Sequence, residues 1–82
     1  MDVFKVNLML CEKVFRSKQG KTVILRVYFD GKIEKVEITG DFFADEKDLE
    51  MLEKYLRDLK IPKIEIIGFD PEEILEKIKD CL

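Results

Sequence analysis

Hydrophobic and polar positions alternate along the first half of the chain and then change period. Phe4, Val6, Leu8 and Leu10 are separated by Lys5, Asn7 and Met9, the two-residue period of a half-buried strand. From Glu12 to Lys21 the alternation weakens, and Gly20 in "SKQGK" signals a turn. "TVILRVYF", Thr22 to Phe29, is rich in β-branched and aromatic residues and predicts a strong second strand. Asp30-Gly31 follows, a two-residue hairpin signal because a type I′ turn demands positive φ at both central positions. "KIEKVEIT" then returns as the partner strand. A two-residue turn sets Leu25 opposite Val36, Val23 opposite Ile38 and Thr22 opposite Thr39, with the apolar partners on one face. On the other face Arg26 falls opposite Lys35, with Glu37 diagonal. Ile24, Tyr28 and Ile33 share that face, which is too apolar to be purely solvated.

After residue 40 the period becomes helical. Leu49, Leu52, Leu56 and Leu59, with Tyr55 beside them, form one stripe and predict a helix from about Asp45 to Leu59. Asp45 is placed to cap it, with Glu46 and Asp48 in the first turn, and Pro62 ends it or lies just past its end. "KIEIIGF" reads as a short strand or an extended connector. "DPEE" opens a last helix, with Asp70 as N-cap, Pro71 at the first helical position, and Ile74, Leu75, Ile78 and Cys81 on its buried side. Strands followed by helices define an α+β two-layer sandwich. Its antiparallel sheet has three strands, or four if "KIEIIGF" joins it, and both helices pack on one face. Residues 1–82 form one domain.

Composition narrows the classes. Hydrophobic residues make up 46 % of the chain and charged residues 40 %, an ordered globule with the Lys- and Glu-rich balance common in heat-adapted proteins. Asp2 and Lys5 interrupt the apolar N-terminus, so no secretory signal is expected, and no apolar run approaches the roughly 20 residues that span a bilayer. A cytoplasmic protein is the expectation. Residues 1–40 carry eight basic and five acidic side chains, residues 41–82 seven and thirteen. The acidic total argues against nucleic acid as a partner. "KVFRSKQGK" is locally basic, and Arg16, Lys18 and Lys21 are candidates for steering an anion.

Catalytic chemistry is hard to find. With no His and one Ser, Ser17, no nucleophile–base pair is evident, and four scattered glycines form no phosphate loop. Asp41, Asp45, Glu46 and Asp48 do not follow a calcium-loop spacing. Pairs such as Glu50–Lys54 and Glu53–Arg57 suit a solvated helix face. Cys11 and Cys81 stand 70 positions apart and are expected as reduced, partly buried thiols. A disulfide between first strand and last helix is the alternative, whose geometry needs a structure to test.

What remains is the seam "ITGDFFADEKDLE". Gly40 permits a sharp turn after the strand, Asp41 favours a local turn, and Phe42 and Phe43 sit side by side on irregular backbone. Two adjacent aromatics there do not readily point the same way: one plugs the core while the other covers a neighbour or meets a partner. The run "GKTVILRVYFDGKIEKVEITGDFF", followed by an acidic linker and "LEMLEKYLRDL", resembles the C-terminal accessory domain of lipoate–protein ligases, over Gly20 to Leu59. In that family a larger domain binds lipoate and ATP and carries the chemistry, and the small domain supports lipoyl-adenylate formation. In archaea notably the two are separate polypeptides. The resemblance implies a non-catalytic accessory subunit that binds no cofactor alone, docks on the catalytic subunit through Gly40, Asp41, Phe42 and Phe43, and serves lipoyl-acceptor proteins indirectly. The alternative is a small protein-interaction or regulatory module with no tie to lipoylation.

Overall fold

The computed structural model describes residues 8–82. The predicted beginning of the first strand, Phe4 to Asn7, lies outside them. Three antiparallel strands come first, β1 (Met9–Arg16), β2 (Thr22–Phe29) and β3 (Ile33–Gly40), in the spatial order β1-β2-β3. Two helices follow, α1 (Glu46–Arg57) and α2 (Pro71–Cys81). Both cover the same face, so the α+β two-layer arrangement expected from the pattern is the one that forms. Val23, Leu25, Val27, Val36 and Ile38 supply the sheet side of the core; Leu52 and Leu56 of α1 and Ile74 and Ile78 of α2 close it. Fully burying each such side chain is worth about 1.5–3 kcal/mol before the entropy of ordering is charged against it.

β1 extends further than its alternation suggests. Cys11, Lys13 and Phe15 are its half-buried inner set, and a lysine among them blurs the pattern even though its aliphatic stem can lie along the core.

The hairpin corrects a second expectation. Leu25 pairs with Ile38, Val27 with Val36 and Val23 with Gly40, two residues out from the register that a two-residue turn would set. The pairing shifts between Tyr28 and Phe29, and the loop is three residues long, Asp30 to Lys32, with Gly31 at φ 76°. A shift of two preserves faces, so the core is unchanged, but two consequences follow. Arg26 now faces Glu37 and not Lys35, replacing a like-charge pair with an attractive one. Ile33 pairs with Phe29 and turns inward, into the core and off the open face.

The helices keep close to their predicted bounds. α1 stops at Arg57, earlier than the Leu stripe suggests. Lys60 N–H donates to Tyr55 O (2.9 Å) and Leu59 N–H to Leu56 O (2.9 Å), with Leu59 at φ 59°. That is a helix stop of the kind usually built on glycine, and it leaves Leu59 exposed, as is Tyr55. Glu53 also departs from its expected solvated pairing: it is half-buried and takes the Ile38 N–H of β3 at 2.9 Å. Burial pushes its carboxyl above the ordinary range, with the Ile38 hydrogen bond opposing.

The segment between the helices is an extended connector. Ile66, Gly68 and Phe69 are buried, and a single antiparallel bridge joins Ile67 to Phe43. It adds no fourth strand to the sheet. Cys11 and Cys81 are bonded, with Cα atoms 5.9 Å apart. The expectation of two free thiols is therefore overturned: β1 and the last turn of α2 come within bridging distance, which 70 positions of sequence separation did not reveal.

Candidate functional site

Gly40 ends β3 at φ 146°, and a Cβ there would run into the Thr22 carbonyl oxygen. The chain needs glycine at this point because β3 passes directly against the start of β2. Asp41 contributes its backbone: its N–H donates to Thr22 O at 2.9 Å, while its side chain is exposed. The next two residues part. Phe42 turns in and meets Phe69 edge to face, centroids 4.8 Å apart and planes at 83°, a favourable aromatic geometry. Phe43 turns out and is 77 % exposed. Its backbone is nevertheless held, since Phe43 N–H donates to Ile67 O (2.9 Å) and Ile67 N–H to Phe43 O (3.2 Å). Ile67 is itself 69 % exposed. Two large apolar side chains thus stand in solvent on a fixed piece of backbone.

The basic loop comes to the same end of the molecule through Gly68. Ser17, buried in the loop, donates from Oγ to the Gly68 carbonyl and accepts the Lys21 N–H at 3.2 Å. Gln19 Oε1 takes the Gly68 N–H (3.0 Å), and its Nε2 donates to Asp70 Oδ1 (3.2 Å). Glu73 Oε1 accepts the Lys18 N–H (2.9 Å), and its Oε2 accepts the N–H of Asp70, the residue that caps α2 (3.1 Å). Gly68 in turn sits so close to Phe42 that a Cβ on it would lie 2.6 Å from Phe42 Cβ. The seam residues Gly40 to Phe43 and the loop bearing Arg16, Lys18 and Lys21 therefore form one surface.

Its electrostatics are mixed. Arg16, Lys18 and Lys21 are exposed, yet the base of their loop rests on the carboxylates of Asp70 and Glu73. Those acids offset the positive excess that the sequence stretch suggests. The carboxylates after the seam do not gather. Asp45 caps α1 by accepting the Lys47 N–H at 3.1 Å, Glu46 and Asp48 lie in the first turn, and among the described residues no group of three or more possible metal ligands converges.

Sequence reasoning missed Ser17, Gln19, Ile67 and Gly68 as parts of this surface. Ser17 offered one signal, as the only Ser in a run of basic residues. The others gave none, because their partners lie far along the chain, 49 and 51 positions for Gln19 and more than twenty for Ile67. No protein-family model, curated protein or solved structure matches this chain.

Proposed function

We propose that the chain is a non-catalytic docking subunit and that its partner is the catalytic subunit of a lipoate–protein ligase. The observation that carries the docking reading is Phe43 beside Ile67. Both are exposed, apolar and held by reciprocal backbone hydrogen bonds, and a pre-ordered aromatic is the kind of anchor that contributes most to an interface. The ligase assignment rests on the resemblance of the "DGKI" turn and the "GDFF" seam. ATP and lipoate then belong to the complex, and this chain would favour the adenylating form of its partner by binding it.

A cytoplasmic, archaeal-type setting is part of the same proposal, and the Cys11–Cys81 bond bears on it. Disulfides are rare in the cytosol of mesophiles but common inside hyperthermophilic archaea and bacteria. A charged fraction of 40 % suits that setting.

The experiment is ATP- and lipoate-dependent pyrophosphate release by the same organism's catalytic ligase subunit, with and without this chain. The reading expects release only with both present, and its loss with Phe43→Ala while the variant stays folded. Equal release by the catalytic subunit alone would remove the ligase assignment. A second reading, a module for an unrelated protein, is favoured by the sheet face away from the helices, which nothing among the described residues covers at β1 and where Leu10 and Val14 are more than half exposed.

A further inference from the structure

The two edges of the sheet are treated differently. At the β3 edge the Ile38 N–H points outward and is taken by Glu53 of α1 (2.9 Å). At the β1 edge nothing among the described residues plays that part. Ladder parity shows which groups face out there. Ser17 N–H donates to Lys21 O at 2.7 Å, continuing the β1–β2 register in which Phe15 faces Val23 and Lys13 faces Leu25. Hydrogen-bonded and non-bonded positions alternate in an antiparallel pair. The odd-numbered residues of β1 therefore bond β2, and the N–H and C=O groups of Leu10, Glu12 and Val14 point away from the sheet.

The flanks of that edge have distinct chemistry. On the open face Leu10 is 53 % and Val14 65 % exposed, and Glu12 between them is held by Arg26 at 2.6 Å. On the helix side the edge presents Lys13, and the Lys77 ammonium lies 5.1 Å from the centre of the Phe15 ring. Glu76 and Asp80 are exposed on α2, a step further round the helix toward solvent from Lys77. A strand laid along β1 would meet an apolar rim on one side and two lysines on the other. A second copy of β1 would bring its own Lys13 and Lys77 to that flank and be repelled.

We propose that β1 is a strand-addition site for an extended segment of another protein, in which apolar residues facing Leu10 and Val14 alternate with acidic residues facing Lys13 and Lys77. Main-chain hydrogen bonds give such contacts their affinity and the alternating side chains their selectivity. This goes beyond the docking reading of the seam and stands whether or not the partner is a ligase subunit.

An end-blocked octapeptide alternating valine and glutamate is the probe, titrated into the isotopically labelled full chain. Expected are binding, slowed amide exchange at Leu10, Glu12 and Val14, and a preference of about tenfold over the valine–lysine peptide. Val14→Pro removes an outward N–H without touching the β2 ladder and is expected to weaken binding by about tenfold, with β2 exchange protection as the check on folding. Independently of that variant, a valine–glutamate peptide N-methylated at every residue, with no backbone N–H left on either edge, should not bind the wild-type chain. Absence of binding, equal binding of the two charge variants or of the N-methylated peptide, or a dimer of the chain abolished by Val14→Pro would each overturn the proposal. The last would make a second copy the occupant.

Discussion

The two ends of α2 are fastened to the sheet by different chemistry. At its C-terminal end one covalent bond, Cys11–Cys81, ties the last turn to β1. At its N-terminal end the loop after β1 is joined to Gly68, Asp70 and Glu73 through Ser17, Lys18 and Gln19. Phe42 packs beneath on Phe69. The covalent end acts mainly on the unfolded chain, whose freedom it limits, and it depends on the redox state of the surroundings. The polar end acts through burial and complementary geometry, so it also shapes the surface on which Phe43 and Ile67 stand. Stability and presentation of the candidate interface are in this way assigned to opposite ends of one helix.

Removing the covalent end is the largest test. A bond closing a loop of 70 positions is worth about 4 kcal/mol by chain entropy, and native disulfides of small domains typically cost 2–5 kcal/mol to remove. Cys11→Ser together with Cys81→Ser should lower the thermal midpoint substantially while leaving the seam intact, because Ile74 and Ile78 still bury α2. Thermal unfolding with and without a dithiol reductant checks this. A midpoint unmoved by reduction would mean that the polar end suffices to hold α2.

The seam itself supplies the next contrast. Phe42→Ala removes a half-buried ring from Phe69 and should cost about 3 kcal/mol, the lower end of the range for core aromatics. Phe43→Ala should change stability by no more than about 0.5 kcal/mol, as surface substitutions do, yet weaken docking. Urea unfolding of the two variants side by side measures the difference. If Phe43→Ala costs as much as Phe42→Ala, the exposed ring is structural and the anchor reading fails.

How far these features were legible follows the range of the interactions behind them. Strand and helix identity came from local period, so β2, β3, α1 and α2 lie close to their predicted bounds. The register did not, because one extra loop residue at Lys32 and the shift beside Phe29 are choices the Asp30-Gly31 pair does not dictate. The split between Phe42 and Phe43 was readable as a choice between two rings, but deciding it took Phe69 and Ile67, more than twenty positions on. The disulfide and the loop contacts depend wholly on distant partners. Lys18 and Gln19 are exposed, yet one gives its backbone N–H to Glu73 and the other its side chain to Gly68 and Asp70, contacts that the local run does not announce.

The smallest effect tests the polar end directly. Ser17 is 4 % exposed, and its hydroxyl serves both the Gly68 carbonyl and the Lys21 N–H. Ser17→Ala leaves a carbonyl and an N–H without that partner in a place water reaches poorly, a cost of about 1–3 kcal/mol. Gln19→Ala frees Asp70 Oδ1 to solvent and leaves only the part-buried Gly68 N–H to find water, so it should cost less, about 0.5–1 kcal/mol. The difference is measurable by urea unfolding; amide exchange at Lys21 should rise in the Ser17 variant, whereas exchange at Gly68, whose N–H goes to Gln19, should rise first in the Gln19 variant. The Ser17 variant should also loosen the Phe43–Ile67 bridge, since Ile67 precedes Gly68. Equal costs for the two substitutions would show that the buried hydroxyl is not what fastens this end. The presentation of Phe43 would then rest on Gly40 and the Phe42–Phe69 contact alone.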